Sequence, residues 1–114
     1  GRGLGLQFLR HIERTRVLAF MLDVSSEDAP ATLALLEREL AQYSEALMEK
    51  PRLVVLTKAD LLPPEEQAGA AARVGLPGAL LISAHSGLGL RDLLERLWTE
   101  IAADIAAGEA RDDG

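Results

Sequence analysis

Three short apolar runs divide this chain, and each ends on a polar group: Val17–Leu22 before Asp23, Leu53–Leu56 before Thr57, and Ala79–Ile82 before Ser83. Val17–Leu22 is rich in residues that favour strands and too short for a helix of its own, and the other two runs likewise read as buried strands. Amphipathic stretches lie between them. Asp28 is placed to cap a helix whose first turn holds Pro30. Leu33, Leu36, Leu40, Tyr43 and Leu47 then follow at steps of three and four, predicting a helix to about Met48, closed by Pro51. Pro63 and Pro64 open another helix, with Glu65 and Glu66 where the helix dipole favours acids; Gly75 and Pro77-Gly78 break it. A last helix begins after the loop His85–Gly89. Its stripe of Leu90, Leu93, Leu94, Leu97, Trp98, Ile101 and Ile105 reads as core packing, and Gly108 is expected to end it. Before the first run, Phe8, Leu9 and Ile12 suggest a short helix over Leu4–Arg14.

Helices alternating with apolar strands predict an α/β fold with a parallel sheet covered on both faces. Crossovers of one hand stack successive strands on one side of the first, which leaves one flank of Val17–Leu22 bare. That run carries no Lys, Pro or inward charge to protect an edge. It reads as a central strand lacking a neighbour, so the chain alone is expected to be marginal or self-associating. The opening Gly1-Arg2-Gly3-Leu4-Gly5, with no initiator Met, fits a piece processed or excised from a longer protein.

Composition narrows the partners. The net charge of −6 argues against a dedicated binder of nucleic acid or anionic membrane, and no sequence-specific nucleic-acid reader is evident. The absence of cysteine removes disulfides and thiolate metal sites. No apolar run is long enough to span a membrane and no secretory signal is visible, so the expected location is cytoplasmic. Asn is also absent, and Arg far outnumbers Lys. Thermophilic origin and GC-rich coding bias both produce that pattern.

In open parallel sheets, ligands bind at the carboxyl ends of the strands. There the chain places Asp23, Thr57-Lys58-Ala59-Asp60 and Ser83-Ala84. A carboxylate held at this edge accepts two hydrogen bonds from guanine, at N1–H and the exocyclic amine. Adenine has a lone pair at N1 and no amine at C2, so it is repelled. Lys58 can lay its stem on the base as an apolar lid. Ser83 can hold the Asp60 carboxylate in plane, and the Ala84 N–H can donate to guanine O6. His85 follows this loop and is a candidate neighbour of the nucleotide. Taken singly, Asp60 reads as a turn or cap residue, and Ser83-Ala84 as a strand end. Their combination and spacing favour a base site.

Thr57-Lys58-Ala59-Asp60 resembles the NKxD guanine-specificity motif of translation-factor-class GTPases, and Ile82-Ser83-Ala84 resembles their SA(K) motif. Gly3-Leu4-Gly5 with the run Phe8–Arg16 resembles the stretch after switch II in the Obg family of ribosome-associated GTPases. The resemblance covers nearly the whole chain. It implies a three-layer P-loop GTPase-type fold, of which residues 1–108 form the C-terminal part and 109–114 a polar tail or linker. It implies a parent that binds GTP or GDP with Mg²⁺, hydrolyses GTP slowly, and switches ribosomal large-subunit assembly. Thr57 departs from the family's Asn; its hydroxyl offers one bond with shorter reach.

A phosphate loop requires G-x-x-x-x-G-K-[ST]. Neither lysine of this chain follows Gly, and no Asp precedes a Gly by three residues, so D-x-x-G is missing as well. The 114-residue chain is therefore expected to hydrolyse no GTP alone. Two other classes remain: a phosphotransfer domain using Asp23 as acceptor, and an interaction module without nucleotide. In the first, Asp23-Val24-Ser25-Ser26 reads more simply as a loop or cap. Thr57 and Lys58 are adjacent on one strand, so their side chains diverge. His11 reads as a solvated or half-buried helix residue. Gly1-x-Gly3-x-Gly5 is no dinucleotide fingerprint, because Leu6 occupies the place of its next glycine.

Overall fold

The computed structural model describes residues 16–113. The expected helix over Leu4–Arg14, with His11 and most of the Phe8–Arg16 run, lies outside them. Strand β1 spans Leu18–Asp23, β2 Arg52–Thr57 and β3 Leu80–Leu81. They form a parallel sheet in the order β1-β2-β3. Asp23 stands opposite Thr57 in register, which brings the carboxyl ends of β1 and β2 together. Strand β3 is shorter than the apolar run predicts. Beyond it, pairing continues only as single bonds, from Ile82 N–H to Leu56 O and from Ala59 N–H to Ile82 O.

Helix α1 spans Ala29–Tyr43. Asp28 caps it as expected, its Oδ1 accepting from the Ala31 N–H at 3.1 Å. The helix stops five residues early: Ser44 is extended, and Glu45–Glu49 form a single 3-10 turn. The apolar period survives that break because the turn returns Leu47 to the core, where it is 2% exposed. Leu18 and Phe20 of β1 pack with Leu40 and Leu47, while Leu22, Val24, Ala29, Leu56 and Ala70 form a second cluster.

Two short helices replace the one expected after Pro63: α2 at Pro64–Gln67 and α3 at Ala70–Arg73. Gly69, at φ +80°, turns the chain between them. The carbonyls left open by the break are partly taken up by Arg73, which donates to Ala68 O and Glu66 O.

Helix α4 spans Leu90–Asp113, passing Gly108 rather than ending there. One interior glycine costs only about 1 kcal/mol, and the alanines around it are the best helix formers. The sheet meets a narrower face of α4 than the apolar stripe suggests. Leu93, Leu97 and Ile101 are half-buried, whereas Leu94 and Trp98 are 66% and 69% exposed. The expectation that Leu94, Trp98 and Ile105 pack in the core is therefore corrected: the three strands among the described residues do not cover them.

Coverage of both sheet faces holds for β2, where Val55 and Leu56 are fully buried. It fails for β1, whose Leu18, Phe20 and Leu22 are buried while Met21 is 50% exposed. Among the described residues β1 pairs on one flank only. No helix among them is long and apolar enough to cross a membrane.

Candidate functional site

At the carboxyl end of the sheet lies a cleft of about 480 Å³, lined by Met21, Thr57, Lys58, Asp60, Leu61, Ile82, Ala84 and His85. Its size falls within the ~300–1,000 Å³ of small-molecule sites. Thr57, Lys58, Asp60, Ala84 and His85, picked out from the sequence, thus share one wall system, and Ser83 stands behind them.

The turn after β2 builds this wall. Lys58 takes a left-handed backbone at φ 64°, which swings the chain out of the strand direction. Ala59 is fully buried beneath it, and its N–H is fixed on Ile82 O at 3.0 Å. A 3-10 turn over Ala59–Leu61 then presents Asp60 to the cleft. Gln67 braces the turn from α2, donating to Ala59 O at 3.3 Å and Leu62 O at 3.2 Å. No sequence pattern had marked Gln67.

Asp60 Oδ1 accepts from the Ser83 hydroxyl at 2.7 Å. Ser83 is fully buried, and its Oγ also accepts from the Ser86 N–H at 3.0 Å, so the hydroxyl has one orientation available. This bond is the main cause that holds the Asp60 carboxyl below the ordinary carboxylate range; His85 and Lys58 add weaker electrostatic contributions. The carboxylate is ionised at neutral pH, oriented from behind and exposed in front. Such a group accepts a pair of N–H donors lying side by side.

Thr57 lines the cleft, and its hydroxyl is engaged at the sheet. It donates to Leu22 O at 3.3 Å and ties β2 to β1. Asp23, read from the sequence as a loop or cap residue, does hold its own loop. Its Oδ1 accepts from the Ser25 N–H at 2.8 Å and the Ser25 hydroxyl at 2.6 Å. It also does more than the sequence indicates, because Oδ2 meets the Lys58 ammonium at 3.0 Å. The sequence signal available was the placement of both residues at adjacent strand ends.

The Ser25 hydroxyl, then the Ser25 N–H, then Lys58 lower the Asp23 carboxyl from 3.8 to about 2. A depressed folded value makes the ionised group stabilising above the unfolded value, and that contribution is lost as pH falls toward 2. Ser25→Ala should move the Asp23 midpoint upward, toward 3.8, in a carbon-detected NMR titration. An unmoved midpoint would show that the serine hydroxyl is not the cause.

Among the described residues no group of three or more His, Cys, Asp or Glu is placed to hold a metal ion.

No family model matches the chain. Three curated proteins bearing the description GTPase Obg illustrate what it is similar to. The protein of Chlorobium chlorochromatii is 47% identical over 106 residues, covering 93% of this chain and 31% of that protein. That of Prochlorococcus marinus (strain MIT 9313) is 45% identical over 104 residues, 89% of this chain and 32% of the relative. That of Chlorobium luteolum is 41% identical over 116 residues, with 98% and 32% covered. The chain spans about a third of the length of the curated relatives it matches.

Proposed function

We propose that this chain, an Obg-family GTPase sequence along its whole length and about a third of such a protein, is the part that reads the guanine base. The observation that carries the reading is the Asp60 carboxylate, fixed by buried Ser83 and open toward a cleft shared with Lys58 and Ala84. Asp60 accepts guanine N1–H and the exocyclic amine. Ala84 N–H donates to O6, the Lys58 stem covers the ring, and His85 borders the nucleotide. Thr57 borders the base from the cleft wall while its hydroxyl ties β2 to β1.

On this reading the whole protein binds GTP and GDP, hydrolyses GTP slowly and acts as a cytoplasmic switch in assembly of the large ribosomal subunit. Phosphates and Mg²⁺ are held by residues outside this sequence, since it carries neither phosphate loop nor D-x-x-G. The flank of β1 that is unpaired among the described residues is where the strand leading into that loop would pair. Phosphotransfer at Asp23 is disfavoured, because both of its oxygens are already engaged.

Guanosine, inosine and adenosine monophosphates titrated into the chain test the base reading. Amide shifts at residues 57–60 and 83–85 should respond in that order of strength, guanosine first. Calorimetry with GDP and Mg²⁺ should give affinity weaker than micromolar, with no phosphate released. Adenosine binding as well as guanosine would overturn the assignment.

A further inference from the structure

Lys58 is the site residue whose conformation the motif does not explain. Its side chain is 63% exposed, has four methylene torsions, and starts from a left-handed backbone. A lysine in that state samples many rotamers, and ordering it over a base opposes binding. Yet its ammonium is held at 3.0 Å from Asp23 Oδ2. Asp23 is itself locked, because Oδ1 takes two bonds from Ser25. The parallel register sets the spacing: Asp23 stands opposite Thr57, one residue from the lysine.

We propose that Asp23 is a positioning residue for the base site: anchored on Ser25, it holds the Lys58 ammonium at the end of β1, so that the lysine stem is laid along the cleft before the base arrives. The inference rests on the guanine reading above. Pinning the charge at Asp23 satisfies it outside the ring plane and leaves the methylenes to cover the base. An exposed ion pair of this kind adds little to folding stability, so its consequence belongs to ligand binding. Nothing in the general logic of a carboxylate reading guanine requires a second carboxylate on the neighbouring strand; the geometry of this chain supplies it.

The test is a double-mutant cycle read by NMR titration of guanosine monophosphate into the chain. Asp23→Asn should weaken binding by about threefold to tenfold, the range of coupling between contacting groups. Lys58→Met should weaken it at least as much, and adding Asp23→Asn to Lys58→Met should cost nothing further. Asp23→Glu should restore part of the loss. The Lys58 Cε–Nζ relaxation should show a more mobile ammonium in Asp23→Asn. If Asp23→Asn does not fold, Ser25→Ala should give a smaller weakening in the same direction with the same dependence on Lys58. Unchanged affinity, or additive losses in the double variant, overturns the proposal. Failure of the guanine reading itself shows differently: Asp60→Ala would then leave guanosine monophosphate binding intact.

Discussion

Asp60→Asn is expected to convert a site for guanine into one for xanthine. Guanine presents two donors, N1–H and the C2 amine, to the two acceptors of a carboxylate. Xanthine keeps N1–H but presents a carbonyl at C2. The amide of asparagine offers one acceptor and one donor, and Ser83 decides which points where. Its hydroxyl donates to Oδ1 at 2.7 Å while its oxygen accepts from Ser86 N–H, an arrangement that keeps its one hydrogen aimed at an acceptor on Asp60. The Asn carbonyl therefore takes the Ser83 side, and its NH₂ faces the C2 position. There it opposes the guanine amine and pairs with the xanthine carbonyl. Loss of a bidentate base contact is worth about 1–3 kcal/mol, roughly fivefold to 150-fold against guanosine monophosphate, with xanthosine monophosphate gaining in the same range. Competition titrations on the two chains measure the ratio directly. A guanine-to-xanthine ratio that does not change would remove Asp60 from the base.

Much of this site is legible in the sequence because it lies where the continuous apolar runs stop. Val17–Leu22 and Leu53–Leu56 announce β1 and β2 to within a residue, since short continuous apolar runs bounded by polar groups mark strands. Once those strands are parallel, Thr57–Asp60 and Ser83-Ala84 must fall at one end of the sheet, and the Asp60–Ser83 bond follows from their adjacency. What stays hidden depends on backbone breaks and on long side chains. Ser44 interrupts a helix without disturbing its apolar period, because the following 3-10 turn restores Leu47 to the core. Gly69 sits among alanines and glutamates that favour a continuous helix, and only its positive φ reveals the turn. The Asp23–Lys58 pair spans 35 positions and depends on strand register, which local pattern does not fix. The outer flank of α4 misleads in the opposite sense. Leu94 and Trp98 continue a perfectly good apolar stripe, but the sheet offered to it among the described residues is only three strands wide.

Gly89→Ala is expected to unfold the site from behind. Gly89 sits at φ +71°, where a side chain meets its own backbone, and a Cβ there would overlap the carbonyl oxygen of Leu81 and press on Ile82 Cγ2 at 3.2 Å. Leu81 and Ile82 belong to β3 and its continuation, whose Ile82 N–H bonds Leu56 O at 2.9 Å. Relief of the overlap requires either β3 or the start of α4 to move. Gly89 O accepts from Leu93 N–H in the first turn of α4, so the helix resists. Ser83 N–H bonds Leu88 O at 3.0 Å just beside the clash, so movement reaches the hydroxyl that orients Asp60. The substitution should cost on the order of 2–4 kcal/mol in urea unfolding, near the top of what single changes do. It should also abolish guanosine monophosphate binding at concentrations that saturate the unmodified chain. Gly87 provides the control. It has a similar backbone, φ +85°, but open space where the Cβ would go. Gly87→Ala should carry only the left-handed penalty of about 1–2 kcal/mol. Equal losses for the two variants would show that backbone conformation alone, and not the close approach of α4 to β3, makes glycine necessary at position 89.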